Sequence, residues 1–215
     1  MKHKFITFEG SEACGKTTQI QLLTRWLKEQ GRDFVSLREP GGTALGEAVR
    51  HLLKHDPAGL GMVPEAEMLL FAASRAELVR KAILPALNQG QWVICDRFHD
   101  STLVYQGLAR GLGEAAVEQI NQVAIQGVEP TLTLVLDLDP KEAQSRLQRR
   151  PNPIDQEDRM EKEPPSFYEA VTAGYHKLAA QHPQRVKLIP AAGSREEVFQ
   201  LVLKEVQHAF RGQLD

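Results

Sequence analysis

The apolar run KFITFE (Lys4–Glu9) leads straight into GSEACGKT (Gly10–Thr17), after which Ile20, Leu23 and Leu27 recur at helical spacing until Gly31. A buried strand, a glycine turn and a helix in that order constrain the fold more than any other feature of this chain. The spacing Gly10-x4-Gly15-Lys16-Thr17 aims successive backbone N–H groups, and the helix start behind them, at an anion. It predicts a cradle for a nucleoside triphosphate, with Lys16 on the β- and γ-phosphates and the Thr17 hydroxyl on Mg²⁺. The expected binding set is Gly10, Ser11, Glu12, Ala13, Cys14, Gly15, Lys16, Thr17 and Thr18. A chance glycine turn is the alternative, and the flanking strand and helix argue against it. Glu12 is the anomaly, a carboxylate inside a loop built for anions.

Beyond the loop, short β-type runs alternate with helical patterns. Strands are expected at Lys4–Glu9, Phe34–Glu39, Trp92–Asp96, Leu132–Leu138 and Arg185–Pro190. Helices are expected near Leu45–Leu53, Pro64–Asn88, Glu114–Gln126, Pro140–Arg149, Ser166–Gln181 and Arg195–Phe210. The pattern predicts an α/β chain, one P-loop NTPase domain over residues 1–215, with a five-stranded, mostly parallel sheet covered by helices on both faces. Ligands of such sheets bind beyond the carboxyl ends of the strands, where Glu9-Gly10, Arg38-Glu39-Pro40 and Asp96-Arg97 fall. Asp96 is the expected second Mg²⁺ partner, directly or through water. Arg97 is either a structural ion pair or a phosphate ligand, and its place at the crevice favours the second. The polar segment Arg149–Ser166 carries four prolines and is too long for a simple connection, so a mobile lid is expected there.

A net charge of −2 supplies no overall basic field, which argues against nucleic acid or a membrane surface as the main partner. Any anionic substrate must be held by local clusters of Lys and Arg. The two cysteines, Cys14 and Cys95, have no metal or redox spacing, and no apolar run approaches the ~18 residues of a membrane span. A reduced, cytoplasmic protein is the expectation.

The segments FEGSEACGKTT, REPGGTALGEAVR, AEMLLFAASRAELV, PALNQGQWVICDRFHDSTLVYQG, LTLVLDL and DRMEKEPPSFYEAVTAGYHKLA resemble, in this order and along almost the whole chain, the bacterial thymidylate kinases. The resemblance implies transfer of the γ-phosphoryl of ATP to the 5′-phosphate of dTMP, giving dTDP and ADP in dTTP synthesis. It implies that Arg97 binds the acceptor phosphate, with Arg38 and Arg50 on the same side. For Arg50 a solvated helix face is the alternative. Phe71 would stack on thymine and Arg75, one turn on, would bond the base carbonyl; Phe71 as a core residue is the alternative. Ser101 and Thr102 match positions near the base edge, unless they merely cap the following helix. Tyr105 would sit against the 2′ carbon of the sugar, and Gln106 would support the base.

In the lid, Asp158-Arg159-Met160-Glu161 matches the family pattern and makes Arg159 the arginine that closes over the transferring phosphoryl. A register using Ile154–Glu157 would leave Pro153 at that place. Arg146, Arg149 and Arg150 would contact ATP phosphate or adenine, or form an ordinary charged helix end. Ala13 stands where many members have glycine, and a negative φ is expected for it. Where some relatives have an arginine beside the loop carboxylate this chain has Ala13, so the cation would come from the lid. By the same resemblance Glu12 would accept from the 3′-hydroxyl of dTMP. Lys16, Arg97 and Arg159 are the expected catalytic groups, working by position and charge with no covalent intermediate. A homodimer is implied, with the helix face Val117, Ile120, Val123 and Ala124 available for contact or for core. Competing readings are a kinase for another nucleoside monophosphate, a P-loop regulatory ATPase and an inactive relative. No Asn-Lys-x-Asp guanine motif is present, and the arginines of the acceptor side have no use in simple hydrolysis.

Overall fold

The computed structural model describes residues 3–149, 159 and 163–214. In chain order it contains β1 (Phe5–Glu9), α1 (Lys16–Glu29), β2 (Phe34–Arg38), α2 (Ala44–Lys54), α3 (Pro64–Leu78), α4 (Leu84–Asn88) and β3 (Trp92–Asp96). There follow α5 (His99–Thr102), α6 (Glu114–Ile125), β4 (Leu132–Asp137), α7 (Pro140–Gln148), α8 (Pro165–Gln181), β5 (Val186–Pro190) and α9 (Arg195–Ala209). The strands form one sheet in the order β2-β3-β1-β4-β5, and every pair is parallel. Each strand lies within a residue of its expected bounds.

Alternation along the strands builds two cores. Ile6, Phe8, Trp92 and Ile94 face one side, packing with Leu23 and Leu27 of α1 and with Val202, Val206 and Phe210 at α9. Phe5, Val93 and Cys95 face the other, against Leu78, Val79 and Ile83. Val135 joins that second side in a cluster with Val104, Val171 and Tyr175. Because both faces are covered, the strands read as continuous apolar runs rather than as alternating ones. Each large side chain so buried contributes about 1.5–3 kcal/mol. The same alternation puts Thr7 and Glu9 on the Phe5 side, at full burial.

Two helical segments differ from expectation. The run Pro64–Asn88 is interrupted by a π-helical stretch, Val79–Ile83, just before Pro85. Proline lacks an N–H, and its ring would strike the carbonyl four residues back, so a regular α-helix cannot run through it. Residues 99–109 are helical throughout, α5 passing into a π-helical stretch at Leu103–Ala109. Periodicity did not reveal this helix, because nearly every residue from Phe98 to Gly107 is buried and no polar face marks it. π-helical stretches recur at functional sites, and the second of these carries Tyr105 and Gln106.

Candidate active site

Gly10 and Gly15 take φ values of 127° and 103°, and a Cβ on Gly10 would stand 2.6 Å from the Leu136 carbonyl oxygen. Only glycine fits there. Ala13 is a correction: its φ is +56°, left-handed and not negative. The loop must turn back on itself there, and a non-glycine residue so held costs of order 1–3 kcal/mol. Lys16 opens α1 and curls over the loop, its Nζ donating to Ser11 O at 2.8 Å and Gly10 O at 3.3 Å. Thr17 is exposed, Thr18 half-buried and Cys14 buried. Asp96, level with Phe8 in the sheet, has a buried Oδ1 with no hydrogen-bond partner among the described residues. An orphaned carboxylate oxygen at a strand end, with the Thr17 hydroxyl at the start of α1, suits a hard cation such as Mg²⁺. That ion takes one or two protein oxygens and fills its remaining positions with water and phosphate.

Arg97 follows Asp96 with φ +67°. Its Nη2 donates to Glu12 Oε1 at 2.7 Å, its Nη1 to Ser101 Oγ at 3.2 Å, and the guanidinium lies 5.0 Å over the Tyr105 ring. Burial pushes the Glu12 carboxyl up, but Arg97, Lys16 and Lys54 outweigh it and hold the pKa well below the usual carboxylate range. Glu12 is therefore an ionised acceptor fixed by an arginine, which accounts for its presence in an anion cradle.

Beneath Arg97 lies Glu9. It accepts from Phe98 N at 2.8 Å, from Ser101 Oγ at 2.5 Å and from Tyr175 OH at 2.8 Å. Burial and then the nearby Asp100 raise its pKa, with Arg97 opposing. Asp100 is in turn gripped by Arg185, Nη1 to Oδ2 at 2.5 Å and Nη2 to Oδ1 at 2.9 Å. These bonds orient α5 on the sheet.

A second cluster of polar side chains lies between α3 and the helical segment 99–109. Arg75 is 1% exposed; its Nε donates to Glu39 Oε2 at 2.9 Å and its Nη1 to Asn121 Oδ1 at 2.8 Å. Its Nη2 donates to Thr102 Oγ1 at 2.8 Å and Phe98 O at 3.3 Å. Four of its five N–H directions are thus taken, leaving one on Nη1 among the described residues. Phe71, one turn earlier, is half-buried and belongs to none of the three core clusters, which leaves its ring available to a ligand. Arg50 is half-buried and donates to Pro40 O at 3.1 Å, so it is more than a solvated helix face. Arg38 is exposed and paired with Glu47 at 2.7 Å. Tyr105 is buried with its hydroxyl 3.5 Å from Gly10 O. Gln106 donates through Nε2 to Glu67 Oε1 at 2.8 Å.

Arg159 is tied to α2 and α3. Its Nε donates to Leu53 O at 3.0 Å and its Nη2 pairs with Glu67 Oε2. Arg146 pairs with Glu142 at 3.0 Å and reaches Ala191 O at 3.3 Å, and Arg149 is exposed. Arg150 and most of the expected lid, residues 150–158 and 160–162, lie outside the described residues. Glu9 and Glu39 were placed at the crevice from sequence but given no role, and Tyr175, Asn121 and Glu67 were given none either. The signal for the first two was a carboxylate at the carboxyl end of a strand. Among the described residues, no helix is long and apolar enough to cross a membrane, and no cluster of three or more His, Cys, Asp or Glu could hold a metal.

Comparison with known proteins bears on this geometry. A model of the family described as thymidylate kinase matches residues 8–202. The chain is 46% identical over 212 residues to the thymidylate kinase of Caldanaerobacter subterraneus subsp. tengcongensis, covering 99% of both chains. It is 52% identical over 197 residues to that of Synechococcus sp. (strain JA-3-3Ab), covering 90% of both. The crystal structure of thymidylate kinase from Ehrlichia chaffeensis aligns with a TM-score of 0.75 at 36% identity, over 94% of this chain and 97% of that one.

Proposed function

The chain belongs to the thymidylate kinase family, and from that premise we propose that it phosphorylates dTMP to dTDP with ATP, by direct in-line transfer, in dTTP synthesis. The observation that carries the reading is the Arg97–Glu12 pair beside the Lys16 loop. It joins a cation for an acceptor phosphate to an ionised acceptor for a sugar hydroxyl, in contact with the donor cradle itself.

On this reading the loop N–H groups and Lys16 hold the donor phosphates, and Lys16 exchanges Ser11 O and Gly10 O for phosphate oxygens. Arg97 holds the acceptor phosphate, whose ionised oxygen needs no base, so the protein supplies position and charge. Glu12 accepts from the 3′-hydroxyl, Phe71 stacks on the base, and the remaining Nη1 hydrogen of Arg75 takes a base carbonyl. Ser101 and Tyr105 shape the sugar side, with Arg38 and Arg50 adding positive charge. Thr17 and Asp96 would hold Mg²⁺, which when bound neutralises charge on the β- and γ-oxygens. Arg159 serves the transferring phosphoryl once it leaves Glu67, and Arg146 serves the donor. A homodimer would use Leu69 and Val123, exposed on α3 and α6 at 51% and 75%; of the face read from sequence, Val117 and Ala124 are core. A cytoplasmic site of action follows from the substrates.

The test is a panel of dTMP, dUMP, UMP, CMP, AMP and GMP with ATP and Mg²⁺, read as ADP release. dTMP is expected to give the highest kcat/KM. A higher value for any ribonucleotide or purine overturns the assignment.

A further inference from the structure

Two hydrogen-bonded rungs join α3 to the helical segment 99–109, Arg75 to Thr102 and Glu67 to Gln106. Phe71 lies midway between the α3 ends of these rungs in sequence. Glu67 is 1% exposed, and three donors besides Gln106 reach its carboxylate: Arg110 Nε to Oε1 at 3.3 Å, Arg110 Nη2 to Oε2 at 3.4 Å, and Arg159 Nη2 to Oε2. Arg110 is itself braced by Glu163 at 2.7 Å. Burial pushes the Glu67 carboxyl up, but Gln106, Arg159 and Arg110 outweigh it and hold it below the usual range.

An ionised carboxylate only accepts, so the amide group turned to it must be the nitrogen of Gln106. The Oε1 of the same amide takes no other hydrogen bond among the described residues. We infer that Glu67 is a positioning residue for base selection. By holding the Gln106 nitrogen, it commits the Gln106 oxygen to the pyrimidine as an acceptor. Thymine and uracil present a donor at N3, whereas cytosine presents a lone pair there and is rejected. The inference rests on dTMP as the acceptor, with its base between the two rungs.

The isosteric variant Glu67→Gln inverts the polarity. Arg110 reaches both oxygens, but Arg159 meets Oε2 alone and can only donate, so it draws the new carbonyl to the Oε2 side. The new amino group then faces Gln106, whose amide must turn over and show its nitrogen to the base. The assay is kcat/KM for dTMP and dCMP, in wild type, Glu67→Gln, Gln106→Ala and the double variant. The dTMP-to-dCMP ratio is expected to fall at least about tenfold in Glu67→Gln, the scale of one polar contact replaced by a clash of like groups. It should not fall further when Glu67→Gln is added to Gln106→Ala. An equal loss on both substrates, or the same fall in ratio without Gln106, overturns the inference and makes Glu67 merely structural. If Glu67→Gln does not fold, wild type decides: dTMP methylated at N3 has lost the donor and should lose at least about a hundredfold, and equal turnover refutes the acceptor at N3. A wild type that does not prefer dTMP in the monophosphate panel fails the underlying assignment instead, so the two failures are distinct.

Discussion

Replacing Arg75 with methionine should cost stability in two parts that pH separates. The first is independent of pH. Asn121 Oδ1, Thr102 Oγ1 and the Phe98 carbonyl each lose a donor in a buried setting, about 1 kcal/mol apiece and ~3 kcal/mol together. The second concerns Glu39, the only carboxylate paired with Arg75 among the described residues. Burial raises the Glu39 carboxyl to about 7 even though Arg75 opposes it. A carboxyl raised on folding contributes stability that is fully present below its unfolded value near 4.5 and is lost as pH climbs to about 7. Removing Arg75 raises it further, so the variant goes on losing stability above pH 7 where wild type has levelled off. The extra deficit is about 1.4 kcal/mol per pH unit, or ~2 kcal/mol between about pH 7 and pH 8.5. Urea denaturation at about pH 6.5 and pH 8.5 should show deficits of about 3 and about 5 kcal/mol, the upper value being usual for a broken buried pair. Equal deficits at both pH values would refute the role given to Glu39, and a deficit that shrinks with pH would reverse its sign.

Lys16→Ala should abolish turnover while the thermal midpoint changes little, because among the described residues the side chain bonds only two carbonyls and the Cys14 sulfur of its own loop; residual turnover within about tenfold of wild type would remove it from the donor site. Phe71→Ala should raise KM for dTMP about tenfold or more with kcat nearly kept, the scale of one base–aromatic stack, and an unchanged KM would return Phe71 to a structural role. Arg159→Ala should lower kcat more than it weakens dTMP binding measured by titration; a loss confined to binding would mean that Arg159 acts only through Glu67.

The sheet and the glycine loop were legible because local patterns determine them. Apolar runs that need cover on both faces, glycines at fixed offsets and a lysine opening a helix leave few alternatives. Ala13 was misread for a local reason: the general cost of a positive φ was weighed without the turn that imposes it. The side chains between α3 and the segment 99–109 are a different case. The one-turn spacing of Phe71 and Arg75 says that they share a face, but not that Arg75 reaches Glu39 and Asn121, 36 and 46 positions away. Tyr175 meets Glu9 across 166 positions. Such contacts follow from strand order and helix packing, neither of which is written in any window of sequence. The segment 99–109 escaped notice for a related reason, since a helix buried on every side carries no amphipathic period.

Lys16 is already solvated, by the carbonyls of the loop it serves. The cradle is therefore less a bare positive hole than a closed circuit, and any incoming anion must outbid two oxygens at 2.8 and 3.3 Å before it gains the ammonium. A single inorganic phosphate or sulfate offers little beyond that exchange. A polyphosphate chain occupies the loop N–H groups and the metal position at the same time, and so gains enough to displace them. On the proposed reading, self-solvation of one lysine would favour a long anion over a short one.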